Sequence, residues 1–311
     1  MAGRQTGARS TDRTLMRSAA ILHYREGVSQ IEISRRMRVS TATVSRLLAR
    51  AREEGIVRIH IADPDEAHEI GDTLARAMGL ATVRVVDTSK TAGLSAQVGA
   101  LLTGAALPEG AVLAIGWGRA VQSVISTGLP ALPGVIVVPT TGGMHETASH
   151  FQINEFVRNA AEQTGGEARF LYAPSNPSRE LRAVLLRDPD TTRIMDFWSR
   201  VDAAILGIGS VQTSTATRGS ELSGSGSEAA IGDVARHYFD ISGRRIERPD
   251  HVDPMTITRE QLRRIPLGIG VATGPAKAAA IIGAARSGMI GALVTNLQTA
   301  RAVLNMLEDG R

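Results

Sequence analysis

The residues best suited to hold a small polar molecule fall in five short clusters along the chain. Gly116-Trp117-Gly118-Arg119 follows an apolar run. Glycines let backbone N–H groups approach an anion, a helix start favours negative charge, and Arg119 adds a fork for phosphate or carboxylate. Thr140-Thr141-Gly142-Gly143 offers two hydroxyls and two glycines, a set that suits a polyhydroxy ligand or a phosphate. Gln152 and Asn154 come soon after, and each amide both donates and accepts, as sugar hydroxyls require. Gly207-Ile208-Gly209-Ser210 is a third glycine turn, and Asp233 is an acceptor for hydroxyls. In Gly274-Pro275-Ala276-Lys277, proline opens a helix and lysine sits in its first turn, where it opposes the helix dipole unless an anion lies nearby. Only two lysines occur in the chain, Lys90 and Lys277. Lys277 sits in an apolar setting and is expected to bind an anion or condense with a carbonyl. Taken singly, each cluster also fits a plain turn between elements.

A different chemistry is written into Ser29–Gly55. Ser29 and Glu32 form a capping-box pattern, Arg38-Val39 breaks the helix, and Ser40 caps a second one. Val44, Leu47, Leu48 and Ala51 recur at helical spacing and make one buried stripe, while Ile31, Ile33, Ser34 and Met37 give the first helix its inner side. The opposite side of the second helix carries Thr41, Thr43, Ser45, Arg46, Arg50 and Arg52, and Ser40 at its cap joins Thr41, Thr43, Ser45, Arg46 and Arg50 as the expected DNA contacts. Short hydroxyls followed by arginines suit a helix in a DNA major groove, reaching base edges and phosphates. Many turns of this kind place glycine where Arg38 stands, so the backbone there must be one that arginine tolerates.

Elements that position these residues are legible in order. Met1–Ser10 reads as a polar tail and Thr11–Glu26 as a helix with Leu15, Ala19 and Leu22 on one side, widened by Met16, Ala20 and Ile21, and ended by Gly27. Ile56–Ile61 alternates like a strand, which makes a winged helix-turn-helix. Beyond Asp63-Pro64, apolar runs at Thr82–Val86, Val112–Ile115, Val135–Val138, Ala203–Leu206, Leu267–Val271 and Ala292–Thr295 read as buried strands. Helical segments alternate with them, at Asp65–Met78, Ser95–Ala106, Phe151–Thr164, Glu180–Leu186, Ser227–Phe239 and Pro275–Ser287. This alternation predicts an α/β fold with a mostly parallel, Rossmann-like sheet covered by helices, and ligands on such sheets lie beyond the carboxyl ends of the strands. Gly219–Ser227 reads as a mobile surface loop.

Composition narrows the function. The chain has 311 residues and no cysteine, which excludes disulfides and thiolate metal sites. Residues 1–60 hold 12 arginines against five acidic residues, whereas the whole chain is at +4. A basic first segment on a mildly acidic body points to a nucleic-acid-binding end, 1–62, and a separate effector-binding and oligomerisation body, 63–311. No apolar run is long enough to span a membrane and the N-terminus lacks the apolar centre of a secretory signal, so a cytoplasmic protein is expected.

Together, ISRRMRVSTATVSRLLARAREEGIV, VVPTTGGM, QINEFVRNAAEQTGG, LGIGSV, GDVARHYFDISG and the closing GVATGPAKAAAIIGAARSGMIGALVTNLQTARAVL resemble the SorC family of sugar-responsive transcriptional regulators over nearly the full chain. The resemblance implies a winged helix-turn-helix and an effector domain similar to sugar-phosphate isomerases and glucosamine-phosphate deaminases. It also implies dimers or tetramers on palindromic double-stranded operators, a sugar, polyol or sugar phosphate as effector, and effector contacts at Gly116–Arg119, Thr140–Gly143, Gln152, Asp233 and Lys277. Two places depart from the family pattern: Gly118-Arg119 stands where small hydroxyl residues are common, and Thr295-Asn296-Leu297-Gln298 replaces an acidic Thr-Asp-Glu.

The expected function is therefore a regulator, read as a repressor, of a carbohydrate or polyol operon, with no catalytic residue, cofactor or metal. The alternatives are an isomerase- or deaminase-like enzyme carrying a DNA-binding appendage, and a structural DNA-binding protein without a ligand. An enzyme of that fold needs a general acid or base near its glycine turn. Gly207–Gln212 supplies none, and only His145 and His150 follow a strand end closely.

Overall fold

The computed structural model describes residues 5–57, 64–87, 91–143, 152–210, 230–247 and 254–310. The chain divides into two compact units, Met1–Ala62 and Asp63–Arg311. The wing expected beyond Val57, the Gly219–Ser227 loop, and His145 and His150 lie outside the described residues.

In the first unit, α1 (Gln5–Ala20) runs through a π-helical turn at Ile21–Arg25, followed by α2 (Gln30–Met37) and α3 (Thr41–Glu53). Helix α1 starts six residues earlier than the apolar pattern indicates, because extending an existing helix is far easier than nucleating one. Gly27, at φ 68°, turns the chain after it, and Val28 N–H donates to the Leu22 carbonyl at 2.9 Å. Met16, Ala19, Ile33, Val44, Leu47, Leu48 and Ala51 form one buried cluster, against which Ile56 and Val57 pack. Two expected inner residues face out instead: Leu15 is 38% exposed and Ile31 60% exposed. The core face is centred on Met16 and Ile33, one helical position on in α1 and two on in α2. The Ser29 hydroxyl accepts from Glu32 N–H at 3.3 Å, but the Glu32 carboxylate turns to Arg36 Nε at 3.1 Å. Arg38 occupies the left-handed region at φ 54°, ψ 43°.

The second unit is built on a sheet with the order β1 (Thr82–Val86), β9 (Ala292–Asn296), β8 (Leu267–Val271), β5 (Val201–Ser210), β2 (Val112–Ile115), β3 (Ile136–Pro139) and β4 (Glu167–Ala168), parallel throughout, extended by two antiparallel strands. In chain order the elements are α4 (Pro64–Met78), β1 (Thr82–Val86), α5 (Thr91–Gly104), β2 (Val112–Ile115), α6 (Arg119–Thr127) and β3 (Ile136–Pro139). They continue with α7 (Ile153–Thr164), β4 (Glu167–Ala168), α8 (Arg179–Leu185), α9 (Pro189–Asp196), β5 (Val201–Ser210), β6 (Gly232–Val234) and β7 (His237–Phe239). The last are α10 (Arg259–Arg264), β8 (Leu267–Val271), α11 (Ala278–Arg286), β9 (Ala292–Asn296) and α12 (Leu297–Asp309).

Both faces of the sheet are covered, so the strands read as unbroken apolar runs. Along β5, Ala203 and Ile205 enter the cluster formed with α5, α6 and α7. Ala204, Leu206 and Ile208 enter the opposite cluster, with α4, α11 and α12. The chain leaves β2 through α6 towards β3 on one side and leaves β5 towards β8 on the other. Neighbouring strands whose connections diverge leave a crevice between their carboxyl ends.

One expected helix is not there. The part of Ser227–Phe239 that the structure describes is the hairpin β6–β7, in which β6 pairs with the far end of β5, Gly209 opposite Asp233. Its two-residue turn, Ala235-Arg236, holds both residues at positive φ, 47° and 67°. Turns of this kind usually announce themselves with Asn-Gly or Gly, and none is present here. Pairing with β5 has overridden the local helical pattern.

Candidate functional site

The carboxyl ends of β8, β5, β2 and β3 lie side by side, and four of the five clusters stand on them. Gly116 N–H donates to the Ile205 carbonyl at 2.8 Å, which locks the end of β2 to β5. A β-carbon on Gly116 would lie 3.0 Å from that carbonyl oxygen, and one on Gly207 would lie 2.7 Å from the Trp117 carbonyl oxygen. These glycines therefore serve the close approach of two strand ends at the crevice. Gly118, at φ 140°, caps α6 and delivers the exposed Arg119 to its first position.

Lys277 reaches the same place from the end of β8. Pro275–Lys277 forms a single 3-10 turn ahead of α11, and Lys277 Nζ donates to the Ile208 carbonyl at 2.7 Å. Burial pulls its pKa below the ordinary lysine value, the Asp233 carboxylate pushes it back up, and Arg119 lowers it. Geometry places the three together: Lys277 is hydrogen-bonded to Ile208, Asp233 pairs opposite Gly209 on the same strand end, and Arg119 follows Gly118, where a β-carbon would touch Gly207 at 4.0 Å. Asp233 is fixed from the hairpin: its Oδ2 accepts from Arg236 N–H at 3.2 Å. The carboxylate lies over Gly209, where a β-carbon would approach its Cγ to 2.9 Å. The result is a carboxylate acceptor beside two cations, a set that can grip a hydroxyl and an anionic or carbonyl oxygen of one ligand.

The Thr140–Gly143 loop is built differently from the expectation. Its backbone is already occupied, with Thr140 N–H on the Ile115 carbonyl at 2.9 Å, Gly142 N–H on Met255 at 2.8 Å and Gly143 N–H on Ala173 at 2.8 Å. The Thr141 hydroxyl donates to the Met255 carbonyl at 3.2 Å. The segment Met255–Ile257, which carries no signal in the sequence, supplies the Met255 carbonyl to two of these donors and the Ile257 N–H to the Thr140 carbonyl at 2.8 Å. What the loop leaves over is side-chain capacity: among the described residues, the buried Thr140 Oγ1 and, from α7, the buried Asn154 Oδ1 have no hydrogen-bond partner. Asn154 Nδ2 is held by the Leu171 carbonyl at 3.2 Å, and Gln152 Oε1 lies beside Gly143. Buried polar atoms without partners are rare and call for a ligand or a water.

In the first unit, Ser40 caps α3 by accepting from Thr43 N–H at 3.0 Å, and the two hydroxyls lie 2.8 Å apart. Ser40 and Thr43 thus hold the helix start, while Thr41, Ser45, Arg46 and Arg50 are exposed along one side. Arg50 pairs with Glu54 at 3.1 Å.

Comparison with known proteins accounts for both units. Residues 63–305 match the family described as "Putative sugar-binding domain", and residues 11–58 match "Homeodomain-like domain". The chain is 31% identical over 314 residues to the sorbitol operon regulator of Klebsiella pneumoniae, covering 95% of this chain and 99% of that one. It is 28% identical over 321 residues to the transcriptional regulator LsrR of Enterobacter sp. (strain 638), covering 97% and 96%. The crystal structure of the full-length sorbitol operon regulator SorC from Klebsiella pneumoniae superposes with a TM-score of 0.68 at 28% identity, over 94% of this chain and 99% of that one.

Proposed function

The chain belongs to the SorC family of DNA-binding transcriptional regulators, and from that premise we propose that its larger unit senses a sugar, a polyol or a sugar phosphate at the crevice between β5 and β2. The chain is a regulator of this kind and not an enzyme. The observation that carries the sensing role is the convergence of Asp233, Lys277 and Arg119 on one crevice. Asp233 accepts from ligand hydroxyls, and Lys277 with Arg119 holds an anionic or carbonyl oxygen. Thr140, Asn154 and Gln152 extend the same surface along β3, and Gly116, Gly118 and Thr141–Gly143 shape it.

Thr41, Ser45, Arg46 and Arg50 contact the operator, with Ser40 and Thr43 fixing the helix that presents them. The protein works in the cytoplasm as a dimer or tetramer, setting two recognition helices against half-sites about 34 Å apart. The effector binds one arrangement of the body better than another and so changes the fit to DNA and relieves repression of a carbohydrate or polyol operon. No helix among the described residues is long and apolar enough to cross a membrane.

A thermal-shift panel of sugars, polyols and their phosphates, paired with operator binding to the DNA flanking its own gene, tests this reading. Arg46→Ala should lose operator affinity and keep the effector-induced melting shift; Lys277→Met should do the reverse. If both folded variants lost both activities, the division between reader and sensor would be wrong.

A further inference from the structure

A second polar cleft, of about 630 Å³, opens among α8, α9, the β6–β7 hairpin and α10. Arg182, Arg236, Arg245, Arg259 and His237 line it, against Glu247 and Glu260. Arg119, Asp233 and Lys277 do not, so the cleft is separate from the crevice described above. Its floor includes Trp198, whose Nε1 donates to the Pro139 carbonyl at 2.7 Å, and Thr256, whose hydroxyl is held by Thr140 and Ala235. The floor is therefore fixed, Arg182 and Arg259 stand on helices, and Arg245 is tied to Phe239 by a backbone bridge.

Arg259 is the informative residue. It is only 7% exposed, and one end of its guanidinium donates to the Gly243 carbonyl, while Nη1 has no hydrogen-bond partner among the described residues. Arg182 likewise has a buried Nε without a partner among the described residues. Arg245 makes only a loose pair with Glu247, at 3.9 Å. Burying a guanidinium without a full set of acceptors is costly, and gathering several adds mutual repulsion. Burial, then Arg263 and Arg245, hold the Arg259 pKa below the ordinary arginine value, and Arg245 and Arg259 also depress His237 after burial itself. A multiply charged oxyanion offers several acceptors at once and suits the planar forks of arginine.

We propose that this cleft is a second ligand site, which takes a small phosphorylated or pyrophosphorylated anion on Arg182, Arg245 and Arg259. Through the hairpin turn it abuts the sensing crevice, because Arg236 lines the cleft while its backbone N–H holds Asp233.

The test uses the full chain with inorganic pyrophosphate and inorganic phosphate as probes, read by calorimetric titration. Pyrophosphate should bind saturably, and more tightly than phosphate. Arg182→Met/Arg245→Met, which spares the buried Arg259, should weaken binding about tenfold or more, whereas Lys277→Met should leave it unchanged. Loss of pyrophosphate binding in Lys277→Met with retention in the double arginine variant would place the anion in the crevice and overturn the proposal. So would the absence of saturable binding by wild type at millimolar probe. Failure of the sugar panel with pyrophosphate binding intact would sink the sensing role and leave this site standing.

Discussion

Replacing Gly209 with alanine should displace the Asp233 carboxylate without disturbing the sheet. The backbone at Gly209 is not left-handed, so alanine brings no strain of its own. Its β-carbon would overlap Asp233 Oδ1 and lie 2.9 Å from Cγ, where carbon and oxygen or two carbons need about 3.3–3.5 Å, so the carboxylate must retreat by about 1 Å or more. That movement breaks the bond from Arg236 N–H and separates Asp233 from Lys277. Hydrogen bonds to charged groups are worth roughly 1.5–3 kcal/mol. Asp233 is partly exposed, so water recovers some of this, and a loss of about 1–2 kcal/mol is expected. Both tryptophans, Trp117 and Trp198, belong to the larger unit. Urea unfolding followed by tryptophan fluorescence therefore reads this unit by itself. In an Asp233→Ala background the same glycine substitution should be neutral or stabilising by about 0.4–1 kcal/mol, through loss of unfolded-chain entropy. A coupling of about 1 kcal/mol or more between the two positions is the expected result. An equal cost in both backgrounds, or no cost in the wild-type background, would refute the placement of Asp233 over Gly209. Whichever ligand the panel identifies should bind Gly209→Ala about tenfold or more weakly, a loss near 1.4 kcal/mol.

Three further outcomes follow from the same structure. Arg46→Ala should lower operator affinity and reduce the slope of log affinity against log salt by about 0.9, the signature of one lost phosphate contact, measured by fluorescence anisotropy across salt concentrations; an unchanged slope would remove Arg46 from the backbone contacts. Arg38→Gly should stabilise the first unit by about 0.5–1 kcal/mol, because a left-handed conformation costs an L-residue more than glycine loses in chain entropy; circular dichroism melts of residues 1–62 or of the full chain would read it. The larger unit should lose stability as pH falls below about 6.5. His237 is half-buried against the Ile257 carbonyl and that desolvation holds its pKa down, so the unfolded chain takes up its proton first and folding opposes protonation. Urea midpoints between pH 8 and pH 5 should fall in wild type and flatten in His237→Gln.

Much of the architecture is legible from residue order. Val112–Ile115 and Leu267–Val271 are strands as their apolar runs indicate, because a strand buried on both faces needs no alternation to be recognised. Val44, Leu47, Leu48 and Ala51 are the buried stripe of α3 for a similarly local reason. The β6–β7 hairpin was hidden, since Ala235-Arg236 adopts a backbone that its residue types disfavour and holds it only through pairing with β5. Leu15 and Ile31 faced the wrong way in the sequence reading because periodicity fixes an apolar stripe only to within a position or two. The arginine cleft had no signature at all: its members come from α8, the hairpin and α10, 77 residues apart from Arg182 to Arg259 (259 − 182).

What the order of residues determined unaided was local: most of the helices and strands, the caps, and that a basic reader precedes an α/β body. These depend on spacing within one or two turns of chain. Gly207–Ser210, read as a turn, instead continues β5 because β6 pairs with it. Which side chains meet was decided by the tertiary structure. The strand order puts β8, β5, β2 and β3 together and so brings Lys277, Asp233 and Arg119 to one crevice. Antiparallel pairing of Met255–Ile257 beside Thr140–Gly142, with the Ile115 and Ala173 carbonyls, takes up backbone that the sequence had left open. Contacts between residues a hundred positions apart depend on how the sheet is threaded, and no local propensity encodes that threading.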